Sequence, residues 1–148
     1  MHLSDKVKTI RVEAPAAAGT STLTTDWVDT QGFEGIRFIT SFGTLTTSAS
    51  PDTIVKAQQS QDSGGSGAAD LEGTSITIDE DADDNKLVIV DVWHPQERYV
   101  ALVIDPGSAN VVHDLTIAEL YGASKEPVTQ DATVSHLEKH NSPAEGTA

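Results

Sequence analysis

Apolar and polar residues alternate along most of this chain in short runs, with the two-residue period that is typical of β-strands. The clearest runs are Leu87–Trp93 and Tyr99–Ile104, which are rich in β-branched and aromatic residues. A short polar turn that contains Pro95 separates the two runs. This arrangement predicts a β-hairpin at the centre of a sheet, with Trp93 and Tyr99 as anchors of the core.

Weaker runs of the same kind predict further strands. They are expected at residues 6–13, 20–28, 36–42, 53–59, 74–78 and 111–121. In the last of these strands, a constant alternation places one set of side chains on the same face. That set is His113, Leu115, Ile117, Glu119 and Tyr121. Between the strands, the Gly- and Ser-rich residues 61–70 are expected to be flexible.

About eight short strands and no amphipathic helix predict an all-β fold, a single antiparallel β-sandwich or jelly-roll-like domain with extended N- and C-terminal arms. The expected divisions are an N-terminal arm at 1–9, the sandwich at 10–121 and a polar C-terminal tail at 122–148. Strand periodicity leaves jelly-roll and immunoglobulin-like strand orders both open. The expected core consists of Trp27, Ile36, Phe38, Trp93, Tyr99, Leu102, Ile104, Leu115 and Ile117.

Charge narrows the choice of partners. The 148 residues include 9 Lys and Arg against 23 Asp and Glu, which gives a formal net charge of −14. Such a surface repels phosphate groups, so neither nucleic acid nor an anionic membrane is expected as a partner. Cysteine is absent, which excludes disulfides and thiolate sites. Because no signal peptide or membrane-length apolar run is visible, we expect a soluble product made in a cytoplasm.

An acidic turn between two predicted strands is the clearest candidate for a metal site. Calcium prefers carboxylate and amide oxygens, and the weak candidate ligands here are Asp79, Asp81, Asp83 and Asn85. An EF-hand is excluded because Lys86 stands where that loop needs glycine. The default interpretation is a solvated turn, so no metal and no cofactor are expected.

Other candidate chemistry is weaker. His136 and His140 have a spacing that would let two imidazoles share zinc on a helix, but no third ligand is evident nearby. Residues 62–65 resemble the nucleophile loop of a serine protease, yet only His2 precedes them, and such proteases place His and Asp before the Ser. No catalytic residue is therefore assigned, and the chain is not expected to be an enzyme.

Aromatic residues could also form a sugar-binding face. The candidates for such a face are Trp27, Trp93 and Tyr99. Because aromatic residues make up only 5% of the chain, we expect these three to be needed in the core or at a subunit interface.

Four short segments occur in an order that resembles a known family. They are Gly35–Gly43, Val55–Ser63, Leu71–Thr74 and Glu97–Ile104. Together they look like small β-rich virion proteins of tailed bacteriophages that serve as capsid decoration, or cement, proteins. The resemblance covers about residues 33–121.

The resemblance implies a non-enzymatic virion structural protein on the capsid exterior, assembled in the host cytoplasm. Its implied partner is the major capsid protein, whose neighbouring subunits it would bridge, and its implied state is a homo-oligomer, a dimer or a trimer. Inter-subunit contacts are expected from the arms 1–9 and 122–148, and next from the loops 43–52 and 61–70. The alternatives are a phage tail or head–tail component and, in a different class, a carbohydrate-binding β-sandwich module.

Overall fold

The computed structural model describes residues 1–46, 52–79, 82–142 and 144–147. Apart from one 3-10 turn at Leu3–Asp5, the regular elements of these residues are all strands. The strands are β1 Lys8–Glu13, β2 Ala16–Gly19, β3 Leu23–Thr24, β4 Val28–Asp29, β5 Gly35–Thr46, β6 Thr53–Ser60, β7 Ala69–Asp70, β8 Ile76–Ile78, β9 Leu87–Trp93, β10 Tyr99–Asp105 and β11 Asn110–Tyr121. Within the same residues, no helix has the length and apolar character needed to cross a bilayer.

The strands form two antiparallel sheets that pack against each other as a β-sandwich, which confirms the predicted fold class. In sheet A the order is β1-β11-β5-β9, and β2 also pairs with β11. In sheet B the order is β3-β10-β6-β7, while β4 pairs with β10 and β8 pairs with β6. The jelly-roll strand order stays a prediction.

The core lies between the inward faces of the two sheets. Of the residues expected there, four are buried: Ile36, Phe38, Leu102 and Ile104. Three more are half-buried: Trp27, Tyr99 and Ile117. The expectation is wrong for Trp93, which is 55% exposed, and for Leu115, which is 38% exposed. Each of these two errors has a cause in the topology.

The error at Trp93 belongs to the predicted hairpin, which is wrong because its two strands lie in different sheets. β9 pairs with β5 at the edge of sheet A, and β10 pairs with β6 inside sheet B. Residues 94–98 form a corner that crosses from one sheet to the other. The amide of His94 donates to the carbonyl of Glu34 at 2.8 Å, and Gln59 accepts from the amides of residues 96 and 97. In β9 the inward positions are taken by Val88, Val90 and Val92, so the alternation places Trp93 on the outward face.

The error at Leu115 is caused by a β-bulge in β11. Relative to β5, the strand has one extra residue between His113 and Leu115, and an extra residue reverses the alternation of faces. His113 is therefore buried, whereas Leu115 points outward and Thr116 takes the next inward position. Beyond the bulge, the buried side chains of this strand are Thr116, Ala118 and Leu120, not the predicted set.

The second predicted strand is divided into two short pieces, β3 and β4, which both pair with β10. Between them, Thr25 exchanges hydrogen bonds with the backbone of Leu102, and the amide of Asp26 donates to Val12 of sheet A at 3.0 Å. Trp27 then leaves the core and covers Gly65, where a Cβ atom would lie 2.3 Å from the indole ring. Residues 61–68 form a loop with internal hydrogen bonds, such as the one from the amide of Gly65 to the carbonyl of Asp62 at 3.0 Å, and the expected flexibility of 61–70 stays a prediction.

The C-terminal segment lies along the outer edge of β1. The side chain of Gln130 accepts from the amide of Thr9 at 2.9 Å, and Thr133 accepts from the amide of Arg11 at 2.9 Å. Ion pairs join the same two stretches of chain: Lys6 with Glu126, Lys8 with Asp131, and Lys139 with Asp5. The two terminal segments are therefore fastened to each other and to the sheet. Their proposed contacts with other subunits stay a prediction.

Candidate functional site

The outward face of sheet A carries the candidate site, because the side chains on it form rows that run across three strands. Since Ile36, Phe38 and Thr40 of β5 are buried, the residues between them point outward. The pairing of β5 with β11 and β9 places each outward residue beside two partners. The rows are Leu115–Ser41–Leu87, Ile117–Ile39–Ile89, Glu119–Arg37–Asp91 and Tyr121–Gly35–Trp93.

Except for Ser41, the side chains of the first two rows are apolar and form one surface. We call this surface the apolar row, and it consists of Leu87, Ile89, Ile39, Ile117 and Leu115. At its β9 end, Leu87 is 66% exposed and Ile89 is 49% exposed. β9 is also an edge strand, and within the described residues its outer side pairs with no other strand. Contiguous apolar surface of this kind on a folded domain is typical of an interaction surface.

The last row is an aromatic group. The rings of Trp93 and Tyr121 stack with centroids 5.7 Å apart and an angle of 19° between their planes. His94 stacks on Trp93 with centroids 4.2 Å apart. The Tyr121 ring covers Gly35, where a Cβ atom would lie 2.3 Å from the ring carbon Cζ. Glycine at this central position lets the two rings meet across β5.

Charged side chains lie beside the aromatic group in the neighbouring row. The guanidinium of Arg37 donates from Nε to Oε2 of Glu119 at 3.0 Å, and its Nη2 contacts the same oxygen. The phenol of Tyr121 donates to Oδ1 of Asp91. Burial first, and then this bond to a carboxylate, raise the pKa of Tyr121 to about 12. Tyr121 is therefore a neutral hydrogen-bond donor at physiological pH.

These groups surround an open cavity of about 240 Å³. Its walls are formed by Val7, Arg37, Asp91, Glu119 and Tyr121. We call these residues, together with Trp93 and His94, the aromatic site. The site combines two stacked aromatic rings with two carboxylates and one cation.

A second cavity, of about 380 Å³, opens between β2, β3 and β10. Its one buried polar side chain is His113, which is 4% exposed. Both ring nitrogens of His113 are already engaged: Nδ1 lies 3.2 Å from the carbonyl of Ala14, and Nε2 lies 2.8 Å from the hydroxyl of Thr116. The imidazole is therefore part of the scaffold.

The candidate metal residues do not assemble into a site in the described part of the chain. No three His, Asp or Glu side chains lie together there. Asp79 and Asp83 each accept backbone amides within their own turn, while Asp81 lies outside the described residues and Asn85 has a positive φ of 56°.

The two candidate zinc residues are also apart from any site. His136 and His140 lie in a segment without helical structure, so the two imidazoles do not share a helix face. His140 contacts Glu138 at 2.9 Å, and His136 contacts Ser135 at 3.2 Å.

The three aromatic residues considered as a sugar-binding face are separated by the fold. Trp27 covers a loop, and Tyr99 belongs to sheet B and lies 5.2 Å from the guanidinium of Arg98, whereas Trp93 lies on sheet A. Sequence reasoning missed the actual neighbours of Trp93, which are Tyr121 and the charged row. The available signal was the aromatic residue at the end of β11, but it has meaning only once the strand order is known.

Neither a comparison with models of protein families nor a search of curated proteins gives a match to this sequence.

Proposed function

We propose that this chain is a non-enzymatic virion structural protein that binds the outer surface of a phage head and bridges neighbouring major capsid protein subunits. The proposal combines the resemblance of residues 33–121 with one structural observation. That observation is the exposed apolar row at the open edge of sheet A.

The two edges of sheet A differ in a way that supports this proposal. The C-terminal segment covers the β1 edge and provides acceptors for its amides. At the β9 edge, Leu87 and Ile89 are exposed instead. Soluble β-proteins usually protect such edges with charge, a bulge or a covering segment. An edge that retains apolar side chains is suited to contact with another protein.

Charge and valency indicate the kind of partner surface. With a net charge of −14, the chain will favour an apolar surface surrounded by basic groups. A capsid presents the same surface many times, so individually weak contacts add up when a dimer or trimer binds several subunits at once. Sedimentation equilibrium of the free protein will report which oligomer forms.

Co-sedimentation with heads that lack this protein tests the proposal. We expect the wild-type protein to sediment with the heads and to raise their melting temperature. Ile89→Asp places a charge in the apolar row and should weaken binding by about tenfold or more, because an unpaired charge would be buried in the contact. Circular dichroism will establish that the variant is folded.

Thr77→Asp is the control, because Thr77 is an exposed strand residue of sheet B that lies outside the terminal arms and the loops expected to contact other subunits. The same change to aspartate at Thr77 should leave binding as in the wild type. The proposal is wrong if the wild type does not bind heads, or if Ile89→Asp binds as well as Thr77→Asp.

A further inference from the structure

The β9 edge of sheet A offers backbone groups that no strand of the described residues uses. Their direction follows from one bond at the end of the strand, in which the amide of His94 donates to the carbonyl of Glu34 at 2.8 Å, on the β5 side. Successive residues of a strand direct their N–H and C=O groups to alternate sides. The groups that face away from the sheet therefore belong to Leu87, Ile89, Asp91 and Trp93.

The inward side chains of β9 are incompletely covered at the same edge. Val90 is 5% exposed, whereas Val88 and Val92 are only half-buried, although both pack against the core. A further strand beside β9 would cover them, because adjacent strands lie about 4.7–4.9 Å apart and their side chains contact across the pair. The edge thus combines free backbone groups with core side chains that one more strand would bury.

The strand β9 is complementary to itself when two copies of the chain meet edge to edge. An antiparallel pair with a two-fold axis at Val90 brings all seven residues of one copy opposite those of the other. Every outward amide and carbonyl then faces its counterpart in the second copy, so hydrogen bonds form along the whole strand. The opposed pairs are Leu87 with Trp93, Val88 with Val92 and Ile89 with Asp91, each formed twice.

Charge and length favour this register over its neighbours. Asp91 is the one charged residue of β9. A two-fold axis at Asp91 would place two like charges directly opposite each other, which is destabilising. An axis at Ile89 avoids this repulsion but leaves Trp93 beyond the end of the paired strand. With the axis at Val90, Asp91 lies opposite an apolar side chain and Trp93 contacts Leu87 of the second copy.

We propose that a second copy of this chain binds at β9, so that the two copies of sheet A join into one continuous antiparallel sheet. Pairing uses the backbone of the edge, so the apolar row stays on the outward face of the joined sheet. The dimer then presents two apolar rows side by side to a capsid. That use of the dimer rests on the proposed function, whereas the contact between the copies is a property of the free protein.

Cysteine cross-linking tests the register, and the absence of native cysteine makes the reaction specific to the introduced positions. Leu87→Cys and Trp93→Cys, both at exposed positions, are mixed in equal amounts and oxidised mildly without heads. In the proposed dimer, the Cα atoms of these two positions lie about 5.5 Å apart, which is within the range of a disulfide. We expect the mixture to give a covalent dimer on a non-reducing gel.

Each cysteine variant alone is the matched control for chance collisions. In the proposed dimer, position 87 of one copy lies six residues from position 87 of the other along the strand, which is about 20 Å. The same distance separates the two copies of position 93. Neither variant alone should therefore cross-link to the extent that the mixture does.

Sedimentation velocity over a concentration series measures the dimer without cysteine. Ile89→Pro should raise the dissociation constant of the dimer at least about tenfold, because proline removes an outward N–H that β5 does not use and its ring obstructs a second strand. Ile89→Val keeps both the N–H and an apolar side chain, so it should associate as the wild type does. NaCl at about 0.15 M should tighten the dimer relative to about 0.01 M, since two copies with a net charge of −14 each repel.

The inference is overturned if the wild type stays monomeric over the whole series, if the mixed cysteine variants cross-link no more than each variant alone, or if Ile89→Pro associates like Ile89→Val. Circular dichroism will establish that the proline variant is folded, and the cross-linking result stands without it. Heads that bind a monomer would contradict the dimer alone. A dimer that does not bind heads would contradict the proposed function alone.

Discussion

His113 illustrates how a single polar residue is accommodated between two sheets. The carbonyl of Ala14 can only accept a hydrogen bond, so Nδ1 carries a proton, and Nε2 lies 2.8 Å from the hydroxyl of Thr116. The hydroxyl of Thr116 donates to the hydroxyl of Thr40 at 2.8 Å. Both ring nitrogens thus have hydrogen-bond partners in the folded protein, which is how a polar group becomes compatible with the core.

Burial lowers the pKa of His113 below its ordinary value of 6.5, and the raising influences of Ala14, Glu13 and Asp114 are smaller. The unfolded chain therefore binds a proton more readily than the folded chain. We expect His113 to make its full contribution to the free energy of unfolding above pH 6.5. This contribution should fall as the pH drops from 6.5 toward the lowered pKa of the folded state. Urea titrations between pH 8 and pH 5 measure this loss.

His113→Gln is the comparison variant, since an amide can form hydrogen bonds here but does not titrate. Its stability should change less with pH over the same range than that of the wild type. Hydrogen bonds are the main cause that lowers the pKa values of Asp29, Asp70 and Asp131 from 3.8. These aspartates therefore lose their contribution to the free energy of unfolding only below pH 5. Equal pH profiles for the two proteins would contradict the assignment to His113.

Gly35 is the residue on which the aromatic site depends. Gly35→Ala should destabilise the fold by roughly 1–3 kcal/mol, because the new methyl group would overlap the Tyr121 ring. The displaced ring should also separate from Trp93, which tryptophan fluorescence will report. Gly146→Ala, at a position where a Cβ atom would meet nothing within 4 Å, should leave both stability and fluorescence unchanged. If Gly35→Ala and Gly146→Ala have the same stability and the same fluorescence, the close contact between Gly35 and the Tyr121 ring does not contribute to the stability of the fold.

At the scale of elements, β1 and β9 show two treatments of a sheet edge. β1 has its outward amides at Thr9 and Arg11 occupied by side chains rather than by a further strand. This protects the edge without extending the sheet, so no new edge is created. β9 has no such cover in the described part of the chain, and its outward side chains are partly apolar. The asymmetry indicates which edge is available to a partner.

Gln130 is the central contact at the β1 edge, because it also donates to the carbonyls of Ser4 at 2.9 Å and Val7 at 2.7 Å. Gln130→Ala should destabilise the protein by about 1–3 kcal/mol, the sum of several net hydrogen bonds. Hydrogen exchange at the Thr9 amide should become about tenfold faster or more, and NMR can measure it. Gln96→Ala, at an exposed side chain without a hydrogen bond in the described residues, is the control and should change neither. Unchanged protection at Thr9 would show that the C-terminal segment does not cover the edge in solution.

At the scale of the whole molecule, charge acts on every element together. With 23 acidic against 9 basic residues, the folded state concentrates negative charge on a small surface. Repulsion of this kind opposes compaction, and salt screens it because the Debye length falls from about 30 Å at 0.01 M to about 8 Å at 0.15 M. Screening also weakens the attraction within the surface ion pairs. This loss of stability is small, because exposed pairs are worth about 0–1 kcal/mol each.

We therefore expect the melting temperature to rise by a few degrees between about 0.01 M and 0.15 M NaCl, and differential scanning calorimetry can measure it. KCl should give the same rise, because screening does not depend on the identity of the cation. A fall in melting temperature would show that attractive ion pairs outweigh repulsion. A rise at micromolar CaCl₂ would instead identify a specific calcium site in the acidic turn.

The sequence by itself determined the class of structure, because strand periodicity and the absence of helical patterns are local properties. It also determined that Ile36 and Phe38 are buried, since their strand keeps one phase of alternation through both residues. Partners of each strand are a non-local property. The expected hairpin failed for this reason: residues 94–98 form a corner between sheets, and nothing in the two apolar runs specifies which strands they pair with.

The tertiary structure alone decided the candidate site. One extra residue in β11 reversed the faces of Leu115 and Thr116, and that change of phase comes from pairing with β5. Trp93 and Tyr121 are 28 positions apart along the sequence and belong to strands that never pair with each other. They meet because β5 lies between their strands and carries glycine at the point of contact. Local pattern can specify that a residue lies in a strand, but its neighbours across a sheet are set by the strand order.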